Sequence, residues 1–349
     1  MENIIHIVIF MKIKFLFTLI FIALMSLVYC KNPVGPSRPD QPDQGDKKGY
    51  KYYSLGNPTD VSTPFSPGLV LMGGGQDVDA AFQWLINKSG GGDIVVIRAS
   101  GTDAYNPYIF NLGHVDSVET LIVDTKTGAD DPFVADKIRK AEALFIAGGD
   151  QAQYISLWQG TALQASLQEL IQRGVPMGGT SAGLAVLGEY VFSALRGTVY
   201  SNEALANPYD HRVTLKRNFL SLPLLMGIIT DSHFVSRDRM GRLIVFLARI
   251  IKDGWAGTAK GIGIDERTAL LVENNGTVSL TGTGTAYFLM VDHEPEVCTA
   301  GAPLTFSRIQ VHKLELNGLF NILQWQGTTS PYFISVTNGI VSSSTGSIY

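Results

Sequence analysis

The sequence predicts an α/β protein built on a parallel sheet with helices on both faces, and three observations carry that prediction. From about residue 60, short continuous apolar runs alternate with segments of helical period. Strands buried on both faces read as unbroken apolar runs, whereas strands with one wet face alternate. Three of the runs end in glycine turns, MGGGQ, AGGDQ and MGGTS, and ligands of a parallel sheet gather at that carboxyl edge.

GLVLMGGG (68–75) predicts the first buried strand and its turn, and DVDAAFQWLINK (77–88) the helix behind it. DIVVIRAS (93–100) and VETLIVDT (118–125) predict two more strands, with a helix around 132–142. ALFIAGGD (143–150) is a fourth strand, ISLWQGTALQASLQELIQRG (155–174) a helix, and VPMGGT (175–180) a fifth strand. Beyond 185 the pattern changes. VFSALRGTVY (191–200) is strand-like, RMGRLIVFLARIIKDG (239–254) a helix, and GIGIDERTALLVE (261–273) a strand, turn and strand. GTVSLTGTGTAYFLMVD (276–292) predicts a β-hairpin, and short β-like runs to the end of the sequence form a β decoration on one domain.

The 349 residues are 45% hydrophobic and 17% charged, an ordinary globular composition with room for one large domain or two small ones. Net charge is -4 with both signs mixed, so no nucleic-acid partner is expected. The start of the chain differs in kind. Lys12 and Lys14 precede FLFTLIFIALMSLVY (15–29), and Cys30 follows. Such a run marks a secretory signal and is short for a membrane span. Residues 1–30 are therefore expected to be a signal peptide, 31–59 a polar linker and 60–349 the folded domain. Cys30 stands where a bacterial lipoprotein is cleaved and lipidated, although Tyr29 is bulky where a small residue is usual. The favoured reading is a lipid-anchored protein facing the periplasm or the cell surface; plain secretion and an uncleaved anchor stay open. With Cys30 lipidated or removed, Cys298 is the sole thiol and reads as structural.

Gly179-Thr180-Ser181-Ala182-Gly183 fits G-x-S-x-G, in which a strand stops, the serine sits on a strained turn and a helix begins. Small flanking residues let strand and helix pack closely, and the first helix amides face whatever the hydroxyl attacks. A glycine-rich turn with a buried serine fits the same five residues. Serine needs a base to become a nucleophile. Of six histidines, His233 stands out in TDSHFVSRDRMGRL (230–243), beside Asp231 at the entry to a long helix. Glu266, in an acidic pair at a turn between apolar strands, is the candidate carboxylate. No G-x-G-x-x-G or Walker pattern is present, and neither cofactor nor metal ion is expected.

GGDQ (148–151), GGTSAG (178–183), DSHF followed by R-x-R-x-x-R (231–242), and GIGIDE-x-TA (261–269) occur in that order. Together they resemble the cyanophycinase and aspartyl dipeptidase (dipeptidase E-like) family of serine peptidases, from about Gly68 to Leu323. The resemblance implies a flavodoxin-like fold related to class I glutamine amidotransferases. It also implies Ser181 as nucleophile, His233 as base and Glu266 as orienting carboxylate. The order serine, histidine, acid differs from that of α/β-hydrolases. An oxyanion hole would use the amides of Ala182 and Gly149, since two donors must meet the developing charge.

Family members favour peptides with aspartate near the scissile bond, and Asp150, Gln151, Asp231, Arg237, Arg239 and Arg242 match their pocket positions. Ser232 stands where cyanophycinases carry glutamine (DQHF), a departure that bears on whether cyanophycin is cleaved. Of the three arginines, Arg237 is the expected carboxylate ligand, because helical i, i+4 spacing from His233 would bring it over the base. The competing expectations are an inactive surface lipoprotein that binds, and an esterase or amidase on the same three residues. Oligomeric state is not legible, and a homodimer stays open.

Overall fold

Five apolar strands supply the frame: β2 (Gly68–Met72), β3 (Ile94–Arg98), β4 (Ser117–Val123), β5 (Ala143–Ile146) and β6 (Met177–Thr180). Nearly every residue in them is buried, because helices cover both faces. They are parallel and lie in the order β4-β3-β5-β6-β2. The structure, a computed structural model, describes residues 48–349. The expected signal peptide, Cys30 and the linker to residue 47 lie outside the described residues. Among the described residues no helix is long and apolar enough to cross a membrane.

The strand β1 (Tyr50–Gly56) pairs antiparallel with β4, from Tyr50 opposite Val123 to Gly56 opposite Ser117. The expected linker of 31–59 therefore ends earlier: YKYYSLG has the residues of an edge strand, and Tyr50 stacks on Phe133. At the other edge, β11 (Thr268–Glu273), β12 (Thr277–Gly282), β15 (Leu319–Asn321) and β16 (Gln326–Gly327) extend the same sheet antiparallel to ten strands. The fold is the flavodoxin-like α/β type, with additional β-strands in the C-terminal part.

A second sheet of eight strands stands beside the first. Its order is β18 (Ile340–Ser343), β17 (Tyr332–Thr337), β14 (Phe306–Leu314), β13 (Ala286–Val291), β10 (Ala259–Ile264), β9 (Ile228–Asp231), β7 (Tyr190–Phe192) and β8 (Leu215–Arg217). The Met240–Lys252 helix packs on it through an almost wholly buried surface. A Cβ on Gly241 would come within 2.6 Å of Leu205, so close approach to the Ser201–Ala206 helix needs a glycine there.

Three expectations are corrected. The 155–174 helix is two, Gln151–Trp158 and Ala162–Arg173, because Gly160 turns with φ 78° and Thr161 caps the second. Of 191–200 only the first residues are strand; the rest is a loop. The 276–292 segment is not a hairpin, since β12 and β13 belong to different sheets. The hairpin is β11 with β12, turning at Asn275-Gly276 with Gly276 at φ 82°, the dipeptide that tight turns favour. The strand, turn and strand of 261–273 is found as β10, a turn and β11, and the chain crosses between the two sheets at Asp265–Arg267.

The Ala182–Ala185 helix sits so close on β5 that a Cβ on Gly183 would lie 2.0 Å from Ile146 O. Gly183→Ala is expected to lower unfolding free energy by roughly 1–3 kcal/mol or more, as overpacking does. A denaturant melt with an unshifted midpoint would contradict that packing.

Candidate active site

The C-terminal end of β2 supplies three consecutive backbone acceptors. Met72 O accepts from Ser181 N–H (3.1 Å), Gly73 O from His233 N–H (2.8 Å) and Gly74 O from Arg267 N–H (2.8 Å). Ser181 follows β6 in the first sheet, His233 follows β9 in the second, and Glu266 lies in the crossing between them. Ser181, His233 and Arg267 all have positive φ, at 54°, 47° and 55°. For residues with a Cβ that conformation costs energy and persists only where the surroundings impose it. Gly74, at φ 96°, lies under the imidazole, where a Cβ would meet His233 Nε2 and Cε1 at 2.6 Å. Gly75, at φ 76°, lies against Glu266.

These constraints bring three side chains into line. Ser181 Oγ is 2.7 Å from His233 Nε2, and His233 Nδ1 is 2.6 Å from Glu266 Oε1. With Nδ1 donating to the carboxylate, Nε2 is free to accept the serine proton. Glu266 is held below the usual carboxylate range chiefly by the hydrogen bond from His233. His233 is shifted below 6.5: burial disfavours its cation most, Arg237 and Arg239 add to that, and Glu266 opposes them. An imidazole kept neutral in this way is available as a base at neutral pH.

Ser181, at φ 54° and ψ −112°, ends β6 and opens the Ala182–Ala185 helix. The amides of Ala182 and Gly149 border the same cleft, and neither has an acceptor among the described residues. The Tyr154 hydroxyl fixes the Gly149 turn, at 2.9 Å from Ala147 O and 3.1 Å from Gly148 O. The cleft measures about 730 Å³. Asp150 and Gln151 line it, and Asp150 also caps its helix through Ala152 N. The 194–200 loop forms the opposite wall, with Leu195 and Tyr200 exposed.

The basic residues divide. Arg242 makes a two-pronged contact with Asp231 (Nε–Oδ2 2.7 Å, Nη2–Oδ1 2.5 Å), and Arg239 adds Asp231 Oδ1 and Ser232 O. Asp231, expected in the substrate pocket, does not line the cleft. It is buried with both oxygens occupied, and the two arginines outweigh burial to hold it below the ordinary 3.8. Arg237 is 53% exposed, against 13% and 3% for Arg239 and Arg242, with only a 3.9 Å approach to Glu266. Its helical rationale is corrected: the helix begins at Met240, and Arg237 lies in a preceding turn closed by Arg237 N–H to His233 O. That turn still aims it into the cleft.

Sequence reading passed over the glycine carbonyls, Tyr154 and Asp265. Asp265 Oδ1 accepts from the amides of Val235 and Ser236 and so fixes the histidine turn. The acidic pair Asp265-Glu266 was visible as a turn, with nothing to show that the two acids divide the work. Among the described residues no group of His, Cys, Asp or Glu is disposed to hold a metal ion.

Residues 69–280 match the sequence profile of Peptidase family S51. Cyanophycinase from Synechococcus elongatus is 30% identical over 275 residues, 73% of this chain and 79% of its own. Cyanophycinase from Trichormus variabilis is 27% identical over 222 residues, 62% and 69% of the two chains. A crystal structure of a peptidase from an acI-B1 Actinobacterium superposes with TM-score 0.51 at 16% identity, covering 74% of this chain and 98% of that one, a likeness of fold. The chain belongs to Peptidase family S51, the cyanophycinase and dipeptidase E-like serine peptidases. It is a serine-type peptidase, a hydrolase.

Gly74→Ala is expected to slow fluorophosphonate labelling by about a hundredfold while the far-UV circular dichroism is kept, since a Cβ there would push the His233 ring off Ser181 and small misplacements are costly. Arg242→Met should destabilise by roughly 3–5 kcal/mol, because it strips the main partner from a buried carboxylate. The Asp231 contribution is present above its unfolded value near 3.8 and is lost as pH falls below it. Equal melts of the variant and wild type at neutral pH would contradict the pairing.

Proposed function

We propose that the protein is an exported peptidase of cyanophycinase-like type that cleaves small or aspartate-containing peptides through an acyl-enzyme on Ser181. The observation that carries this reading is the unbroken hydrogen-bonded line Ser181–His233–Glu266, opening at a strained turn into a cleft with two unengaged amides. Ser181 Oγ attacks the scissile carbonyl carbon as its proton passes to His233 Nε2, and Glu266 stabilises the imidazolium through Nδ1–H. The oxyanion is received by the amides of Gly149 and Ala182. Collapse breaks the C–N bond, and His233 returns the proton to the leaving amine. Water then repeats the sequence on the ester and frees Ser181.

Arg237 is the guanidinium left to hold a substrate carboxylate, since Arg239 and Arg242 are committed to Asp231. A planar fork suits that task better than an ammonium group. The relatives' name makes cyanophycin one substrate to try, and Ser232 is the position at which its fit would differ. Export and lipid attachment at Cys30 belong to the same proposal, supported by the apolar run Phe15–Tyr29 after Lys12 and Lys14.

Ser181→Ala should abolish labelling and peptide hydrolysis with the fold retained; residual turnover near wild type would sink the reading. The acid limb of kcat/KM is expected below pH 6.5, because activity is lost as His233 gains a proton. Arg237→Gln removes a cation that disfavours the imidazolium, so on an uncharged substrate the limb should move to higher pH. On acidic dipeptides the same variant should raise KM more than it lowers kcat. A limb that stays in place, with an unchanged KM for acidic substrates, would remove Arg237 from the site.

A further inference from the structure

The turn from His233 to Arg239 carries the base and the free arginine, yet no regular element contains it. Asp265 and the Gly73 carbonyl hold its beginning. Its end is held from elsewhere. The Tyr349 hydroxyl donates to Asp238 Oδ1 (2.8 Å) and accepts from Met240 N–H (3.0 Å), the first amide of the long helix. The Tyr349 ring packs edge-on against Phe234, the neighbour of His233, at 6.1 Å, and against Tyr287 at 5.7 Å. Asp238 itself is in the left-handed region at φ 48°, and its carbonyl accepts from the Ser201 hydroxyl. The 332–349 segment is tied to its own sheet, where Tyr332 donates to Ile348 O (2.8 Å). None of it falls within the 69–280 stretch that matches the family.

We infer that Tyr349 is a positioning residue for His233: through Asp238, Met240 and Phe234 it locks the far end of the turn against the second sheet. The strands beyond the family match thus serve the active site as a strut. The inference rests on the proposed serine chemistry only for its catalytic consequence. Burial and the Asp238 carboxylate push the Tyr349 hydroxyl well above the usual tyrosine range, so it stays protonated and able to donate.

The groups facing His233 are Ser181 and Glu266 on its two ring nitrogens, Arg237 and Arg239 from its own turn, and the Gly74 backbone. Burial is the largest influence on the imidazole. A loosened turn admits water, which eases the penalty on the cation and moves Arg237 away from the ring.

The test is Tyr349→Phe, which removes both hydroxyl contacts and keeps the ring, with Tyr349→Ala as the larger lesion. Two quantities are read in the full chain: the NMR titration midpoint of the His233 ring and the rate of fluorophosphonate labelling. In Tyr349→Phe the midpoint should rise toward the ordinary histidine value and labelling should slow by about tenfold, as expected for a small misplacement of the base. An unmoved midpoint with wild-type labelling overturns the inference, and so does a lower melting temperature with neither change. A midpoint that moves in a protein whose wild type does not label leaves the strut standing and defeats the proposed function instead. Should Tyr349→Ala fail to fold, Tyr349→Phe decides.

Discussion

Three successive carbonyls at the end of one strand set the registration of the whole site. Met72, Gly73 and Gly74 each receive an amide from a different part of the chain, and those amides belong to Ser181, to His233 and to the neighbour of Glu266. The residues that donate are in the left-handed region, a conformation a free loop would abandon. Glycine at 73 to 75 is what lets the backbone come close enough. A Cβ at Gly73 would lie 2.0 Å from Asp265 O, and one at Gly74 would strike the imidazole.

This registration matters because the three side chains come from two sheets. Ser181 is delivered by the parallel sheet and His233 by the second sheet, while Glu266 sits on the segment that passes between them. A seam of this kind also desolvates the imidazole, which keeps it neutral, and buries Asp231 where Arg239 and Arg242 can neutralise it. The buried ion cluster thereby anchors the base of the histidine turn and leaves Arg237 as the uncommitted cation at the cleft. Packing, electrostatics and chemistry share one set of residues.

How much of this could be read from the sequence follows from the range of the interactions. Parallel strands were legible because burial on both faces demands continuous apolar runs, and GLVLM and ALFI have no other use. Ser181 was legible because steric demand around a sharp turn is local, and Gly179 and Gly183 answer it within two residues. The second sheet was not. β10 and β13 pair across an intervening hairpin, so their partnership lies in no short window. The sequence placed all three arginines at the pocket and singled out Arg237 on a helical spacing that the turn before Met240 does not have. Arg237, Arg239 and Arg242 differ in role only because Asp231 is buried beneath two of them, a fact of tertiary packing. Tyr349 carries no local signal of any kind.

The most direct measurement is amide hydrogen exchange at Ser181, His233 and Arg267 under native conditions. Amides bonded to one buried strand end exchange only when that unit opens, whereas loop amides exchange freely. The three are therefore expected to be protected and to share one opening free energy, despite lying in turns that belong to separate elements. Rapid exchange at His233 or Arg267 with Ser181 still protected would contradict the account, since the strand end would then hold Ser181 alone.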